Sequence, residues 1–204
     1  RYTHTYWGER EPALNDLGIT RYHDINHDGV LNQSDLVYLG NADPVLYGGL
    51  QNTFRWKKFN FSIYWNYSIG GKIYNYSELW MSGSNITNQY RYMLNGWHPE
   101  RNPESDLPRA GSVATWLPNS RMVHDASFLR LKNITLGYTI DLNKCKFMRD
   151  IYVSVSADNI WLWKKYNGFD PDVSTSSDNS TLRRVDMGAY PKARTIMFSV
   201  QLRY

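Results

Sequence analysis

The feature that most constrains this chain is the strict two-residue alternation of FNFSIYWNYSI, residues 59–69. Phe59, Phe61, Ile63, Trp65, Tyr67 and Ile69 fall on one side; Asn60, Ser62, Tyr64, Asn66 and Ser68 fall on the other. Successive side chains of a strand point to opposite faces, so the pattern predicts a β-strand with one apolar and one polar face. The preceding VLYGGLQNTFRW (45–56) sets Leu46, Leu50, Phe54 and Trp56 against Gln51, Thr53 and Arg55. Only Lys57 and Lys58 separate the two runs, which predicts a tight antiparallel hairpin. The same alternation returns in NITLGYTI (133–140), in IYVSVSADNIWLW (151–163) and in the final RTIMFSVQLRY. The chain is therefore expected to be all-β and antiparallel.

Such strands can close on each other as a water-soluble sandwich or stand against lipid as barrel wall. Two features favour the barrel. Connections alternate in length: Lys57-Lys58 and 141–150 are short, whereas 70–126 and 164–192 far exceed the about 15 residues a compact domain tolerates as structureless loop. Membrane barrels carry long loops on the extracellular side and short turns on the other. Aromatics also sit at strand ends, Trp56 and Phe59 at one end and Trp161 and Trp163 at the other, as in interfacial girdles. That orientation places 24–44, 70–126 and 164–192 outside the cell. No apolar run approaches the roughly 18 residues of a membrane helix, which leaves a barrel open because its strands average to polar. The chain starts at Arg1 without an apolar leader, which reads as a processing or engineered boundary. A net charge of +4, with basic residues scattered among acids, gives no stripe for nucleic acid. The single Cys145 has no partner for a disulfide or a zinc pair and reads as an inert thiol.

One segment carries metal chemistry. DINHDGVLNQSD (24–35) offers oxygens at the first, third, fifth, seventh, ninth and twelfth positions of a calcium loop. These are Asp24, Asn26, Asp28, the Val30 carbonyl, Asn32 and Asp35, with Gly29 at the sharp turn. Asp in place of Glu at the twelfth position reaches less far, so a weaker structural site is expected, one that extracellular calcium can still fill. The competing reading is a turn whose Asx side chains bond their own backbone. His4, His23, His27, His98 and His124 lack ligand spacing, and no nucleophile elbow, phosphate loop or HExxH appears. Asp170 and Asp172 form the nearest carboxylate pair and read as solvated acids of a Pro-containing loop. The 70–126 loop holds Trp80, Tyr90, Tyr92, Trp97 and Trp116, which can grip a ligand or pack among themselves. Trp97, Trp116 and Tyr166 are the expected contacts for substrate or partner.

Read in order, RYHDINHDGVLNQSD, LGNADPVLYGGLQNTFRWKKFNFSIYWNYSIGGKIYN, NGWHPERNPESDLPR, DASFLRLKNITLGYTI, YNGFDPDVS and MGAYPKARTIMFSVQLRY resemble the C-terminal part of SusC/RagA-type TonB-dependent outer-membrane transporters. The resemblance runs through nearly all 204 residues. It implies the last strands of a large transmembrane barrel, with the plug and earlier strands outside this chain. It implies import of oligosaccharides or peptides across a bacterial outer membrane without catalysis. The implied partners are outer-membrane lipid, a SusD-like surface lipoprotein as lid, and the TonB complex acting through the plug. The competing class is a soluble, calcium-stabilised carbohydrate-binding β module.

Overall fold

A computed structural model describes residues 24–30, 32–82, 88–109, 119–142, 147–173 and 183–204. They form two compact units. One takes Pro44–Gly70, Ala126–Pro171 and Tyr190–Tyr204; the other takes the described residues of Arg1–Asp43, Gly71–Asp125 and Asp172–Ala189.

The first unit is a five-stranded antiparallel sheet in the order β1-β2-β5-β6-β8. Its strands are β1 (Leu46–Trp56), β2 (Phe59–Ile69), β5 (Phe128–Asp141), β6 (Asp150–Lys164) and β8 (Thr195–Arg203). The remaining elements, β3, α1, β4 and β7, belong to the second unit. Lys57 makes the β1–β2 turn by taking a left-handed backbone (φ 54°), so the hairpin closes without Gly or Asn. Register aligns the apolar side chains into rows that run across every strand. Phe54 lies beside Phe61, then Leu136, Val155 and Phe198. The neighbouring positions form a polar row of Thr53, Ser62, Thr135 and Ser156 on the other face, where Thr135 donates to Asn133 and Asn133 to Asp158. Gly137 leaves a slot on the polar side that Tyr152 fills; a Cβ there would run into the Tyr152 hydroxyl.

The apolar face stays open. Phe198 is 80% exposed and Val155 42%, and every residue of the edge strand β8 is exposed. A sandwich would bury this row against a second sheet; among the described residues of this unit there is none. Aromatic pairs mark both ends of the face. Trp56 stacks on Phe59 at 6.2 Å and Phe59 meets Tyr138 at 4.7 Å near the short turn. Trp65 meets Trp161 edge-on at 5.8 Å toward the long-loop end. Ten residue steps along β2 span about 34 Å, which a tilt of about 40° projects to about 26 Å, the height of a barrel's apolar band.

The β5 strand is longer than its alternation predicts, beginning at Phe128 rather than Asn133. Between Leu131 and Asn133 the register slips: Lys132 faces Asn159 and Ile160, with Asn159 left-handed at φ 54°. This bulge moves Leu129 and Leu131 onto the apolar rows and breaks the period that identifies the strand.

The second unit falls on the expected extracellular loops, and it is structured. Strands β3 (Lys72–Asn75), β4 (Val123–Asp125) and β7 (Val185–Asp186) make a small sheet in the order β4-β3-β7, parallel between β3 and β7. Helix α1 (Tyr76–Met81) follows β3 directly, with the Asn75 side chain capping it by accepting the Glu78 N–H. Tyr74, Leu79, Met122 and Val185 form its buried core, with Tyr76 and Val123 packed against them.

Candidate functional site

Asp24 anchors the 24–35 loop: Oδ1 accepts the His27 N–H and Oδ2 the Gly29 N–H, both at 2.7 Å. His27 and Gly29 are left-handed (φ 60° and 79°), which Gly adopts freely. Asn26 accepts from the Asp28 N–H and Asp28 from Val30. Asp35 closes the loop. It is fully buried, and its oxygens take the N–H groups of Ile25 and Asn32 at 2.8 Å. The Asn32 N–H holds the Asp35 carboxyl below its usual range against the opposing push of burial. The first and twelfth positions therefore meet, but through Asx turns. Among the described residues no group of three or more His, Cys, Asp or Glu is placed to hold a metal. The donor set is hard oxygen, and each carboxylate oxygen keeps a lone pair beside its N–H bond, so the chemistry fits calcium.

Glu78 is the polar hub of the small sheet. Its Oε2 lies 2.7 Å from His124 Nε2, and its Oε1 accepts the Tyr92 hydroxyl at 2.7 Å. Burial pushes the Glu78 carboxyl up, yet the bonds from His124 and Tyr92 prevail and hold it below its usual value. Burial, then Glu78 itself, raises the Tyr92 phenol, and burial lifts Tyr74 to about 12. These groups tie α1, the 88–109 segment and β4 together. Nothing in their spacing along the chain announces it.

The 88–109 segment shapes a cavity of about 920 Å³. Tyr90 N–H is held by the Met81 carbonyl, and Arg91–Asn95 form a 3-10 turn. Trp97 N–H donates to Leu107, while His98 and Asn102 exchange two backbone bonds. Ser105 Oγ donates to the Asn95 carbonyl at 2.5 Å. Half-buried Trp97 lines the cavity together with Arg91, Arg101 and Arg109. Trp116 lies outside the described residues.

Tyr166 does not stand at a rim. It is 2% exposed, under Lys164, whose ammonium lies 6.0 Å from the ring centroid. A contact role for Tyr166 is therefore corrected to a packing one. Asp170 is likewise buried, paired with buried Arg130 at 2.5 Å, and not solvated. Within this segment Tyr166, Asp170 and Pro171 are buried, whereas Phe169 is exposed.

A two-faced sheet with an open apolar side, aromatic ends and a structured loop unit defines a piece of transmembrane barrel wall. Known proteins agree. No protein-family model matches the chain. A TonB-dependent receptor of Formosa agariphila is 32% identical over 97% of this chain. The TonB-dependent receptor SusC of Bacteroides thetaiotaomicron is 26% identical over 89%. The RagAB peptide transporter superposes with a TM-score of 0.67 at 26% identity over 80% of the chain. The chain spans only 20% of the Formosa receptor's length and 17% of SusC's. In sequence and in sheet the chain is thus similar to a stretch of SusC/RagA-type TonB-dependent receptors. These relatives are receptors and transporters rather than enzymes.

Proposed function

We propose that the chain forms barrel wall and extracellular rim of an outer-membrane importer of oligosaccharides or peptides. The five-strand apolar row from Phe54 to Phe198, exposed on a sheet of membrane height, carries this reading. The polar face lines the lumen, and the β3-α1-β4-β7 unit shapes the rim on which a SusD-like lipoprotein closes. Energy enters through TonB and a plug outside this chain. Likeness to the RagAB peptide transporter supports the peptide class, and the oligosaccharide class follows from the sequence resemblance. Deleting the gene in the source bacterium should abolish uptake of a labelled oligosaccharide or peptide, with full-length receptor restoring it only while TonB is present. Unchanged uptake, or rescue without TonB, would sink the proposal.

Calcium in the 24–35 loop is the second part of this reading. The closing of the loop by buried Asp35 on Ile25 and Asn32 supports it, because it brings the first and last ligand positions together. Asp24, Asn26, Asp28, Asn32, Asp35 and the Val30 carbonyl would hold the ion and pin the loop. Terbium luminescence on the full-length receptor should saturate and be displaced by millimolar calcium. Asp24→Ala with Asp28→Ala should abolish the signal; an unchanged signal overturns the assignment.

A further inference from the structure

The 88–109 cavity has a lining chemistry that the general importer reading leaves unexplained. Arg91, Arg101 and Arg109 all line it, all three residues are exposed, and among the described residues no Asp or Glu lines it. Among the described residues none of the three makes an ion pair. Three guanidinium groups around one concavity repel one another unless an anion sits between them.

His98 adds a donor beside the arginines. His98 Nδ1 faces the backbone N–H groups of Glu100 (3.2 Å) and Arg101 (3.3 Å). Both are donors, so Nδ1 is the acceptor nitrogen and the ring's proton sits on Nε2. His98 therefore presents an N–H donor, not a lone pair. Trp97 adds a flat apolar face, and Tyr90, stacked on Tyr92 at 5.5 Å and 14° between rings, adds a second. Cationic donors without carboxylates, beside aromatic faces, suit a ligand with flat apolar ring faces and negative substituents. The turn bonds of Trp97, His98, Asn102 and Ser105 hold the frame before any ligand arrives.

We propose that this cavity is a binding subsite for acidic oligosaccharides, in which the arginines fork onto carboxylates or sulfate esters and Trp97 stacks on a sugar ring. A volume of about 920 Å³ accommodates a few sugar units. The proposal rests on the importer reading and narrows its substrate to anionic glycans.

The test is calorimetry on the full-length receptor in detergent, with tetragalacturonate, a sulfated carrageenan tetrasaccharide, neutral maltotetraose and tetraglutamate as probes. At least one anionic saccharide should bind, more weakly as salt rises, while maltotetraose does not. The variant Arg91→Gln/Arg101→Gln/Arg109→Gln should weaken that binding on the order of a thousandfold, from roughly tenfold for each of the three lost charge-assisted contacts. Trp97→Ala alone should weaken it while leaving its salt dependence in place. The arginines are exposed, so the triple variant should fold, as heat-modifiable gel mobility will show. Equal affinity for maltotetraose, preference for tetraglutamate, binding of no probe, or undiminished binding by the triple variant each overturns the subsite. The importer reading falls separately, through unchanged uptake in the deletion strain.

Discussion

At the scale of single residues, the chain's chemistry sits in charges held by long-range neighbours. Glu78 is the clearest case. Its carboxyl is held below the usual value by His124 and Tyr92, so the ionised form is favoured by the fold. A group with a depressed folded pKa stabilises above its unfolded value and loses that contribution as pH falls through the folded one. Acidification below about pH 4.5 should therefore loosen the β3-α1-β4 region while leaving β2 and β5 protected. Hydrogen exchange at pH 6 and pH 3.5 reads this directly. Glu78→Gln should show the loosened pattern already at pH 6 and little further change; a wild type equally protected at both pH values refutes the role. Arg130 and Asp170 make a second case. Both are nearly inaccessible, so removing one partner strands a buried charge. Asp170→Leu should cost about 3–5 kcal/mol, and Arg130→Met/Asp170→Leu should recover much of it. Denaturant midpoints of the four-member cycle measure both, and additive losses would show that the pair is not coupled. Neither case was legible in the chain: Glu78 and His124 are 46 positions apart, and Arg130 and Asp170 are 40. The Arg-Trp-His cluster was nearer to hand. Arg91, Trp97, His98 and Arg101 lie within one short stretch, but only the fold shows that they share a cavity without acids.

At the scale of elements, what could be read follows from how far a period survives. β2 is uninterrupted, and its eleven residues stand where alternation places them. β5 is longer than its pattern, because the bulge at Lys132 shifts the phase and a two-residue period ends where the phase shifts. β3, β4 and β7 span four, three and two residues, too few for any period, so their region read as loop. They exist because Tyr74, Leu79, Met122 and Val185 bury one another, a tertiary cause invisible to local pattern. The Asx-turn bonding inside 24–35 and the calcium spacing were both visible, since one residue set serves both. Faces of the long strands carry their own prediction. Phe198 lies on the apolar row and Ser199 on the polar one, one residue apart on the same edge strand. Phe198→Arg should cost about 2–4 kcal/mol if that face meets lipid near mid-membrane, and Ser199→Arg under about 1. Reversible folding into lipid vesicles, followed by gel mobility, separates them. Equal costs would mean that both faces meet the same medium.

At the scale of the whole chain, the open sheet cannot be a finished object. β1 and β8 are the two edges, and their backbone groups face outward with nothing paired to them in this sheet. Barrels exist because closure removes such edges, and inside lipid no water is available to satisfy them. The exposed rows through Phe54, Leu136, Val155, Phe198 and Leu202 add an apolar patch far beyond what a free-standing monomer carries. The small unit differs, since it has a buried core and a polar hub of its own. These two facts set opposite demands on the medium. Expressed alone without detergent, the 204-residue chain should associate through its edges and elute near the void volume on size exclusion. Addition of dodecyl maltoside should cover the apolar rows and shift it to smaller species, yet edge pairing should keep part of it oligomeric. Embedded in the full-length receptor, the same residues should be monomeric in detergent, because neighbouring strands occupy both edges. A monodisperse, detergent-independent monomer would contradict this, since it would require the Phe54-to-Phe198 row to be covered by the chain itself. That outcome would restore the soluble β module, and the sheet's open face is what speaks against it.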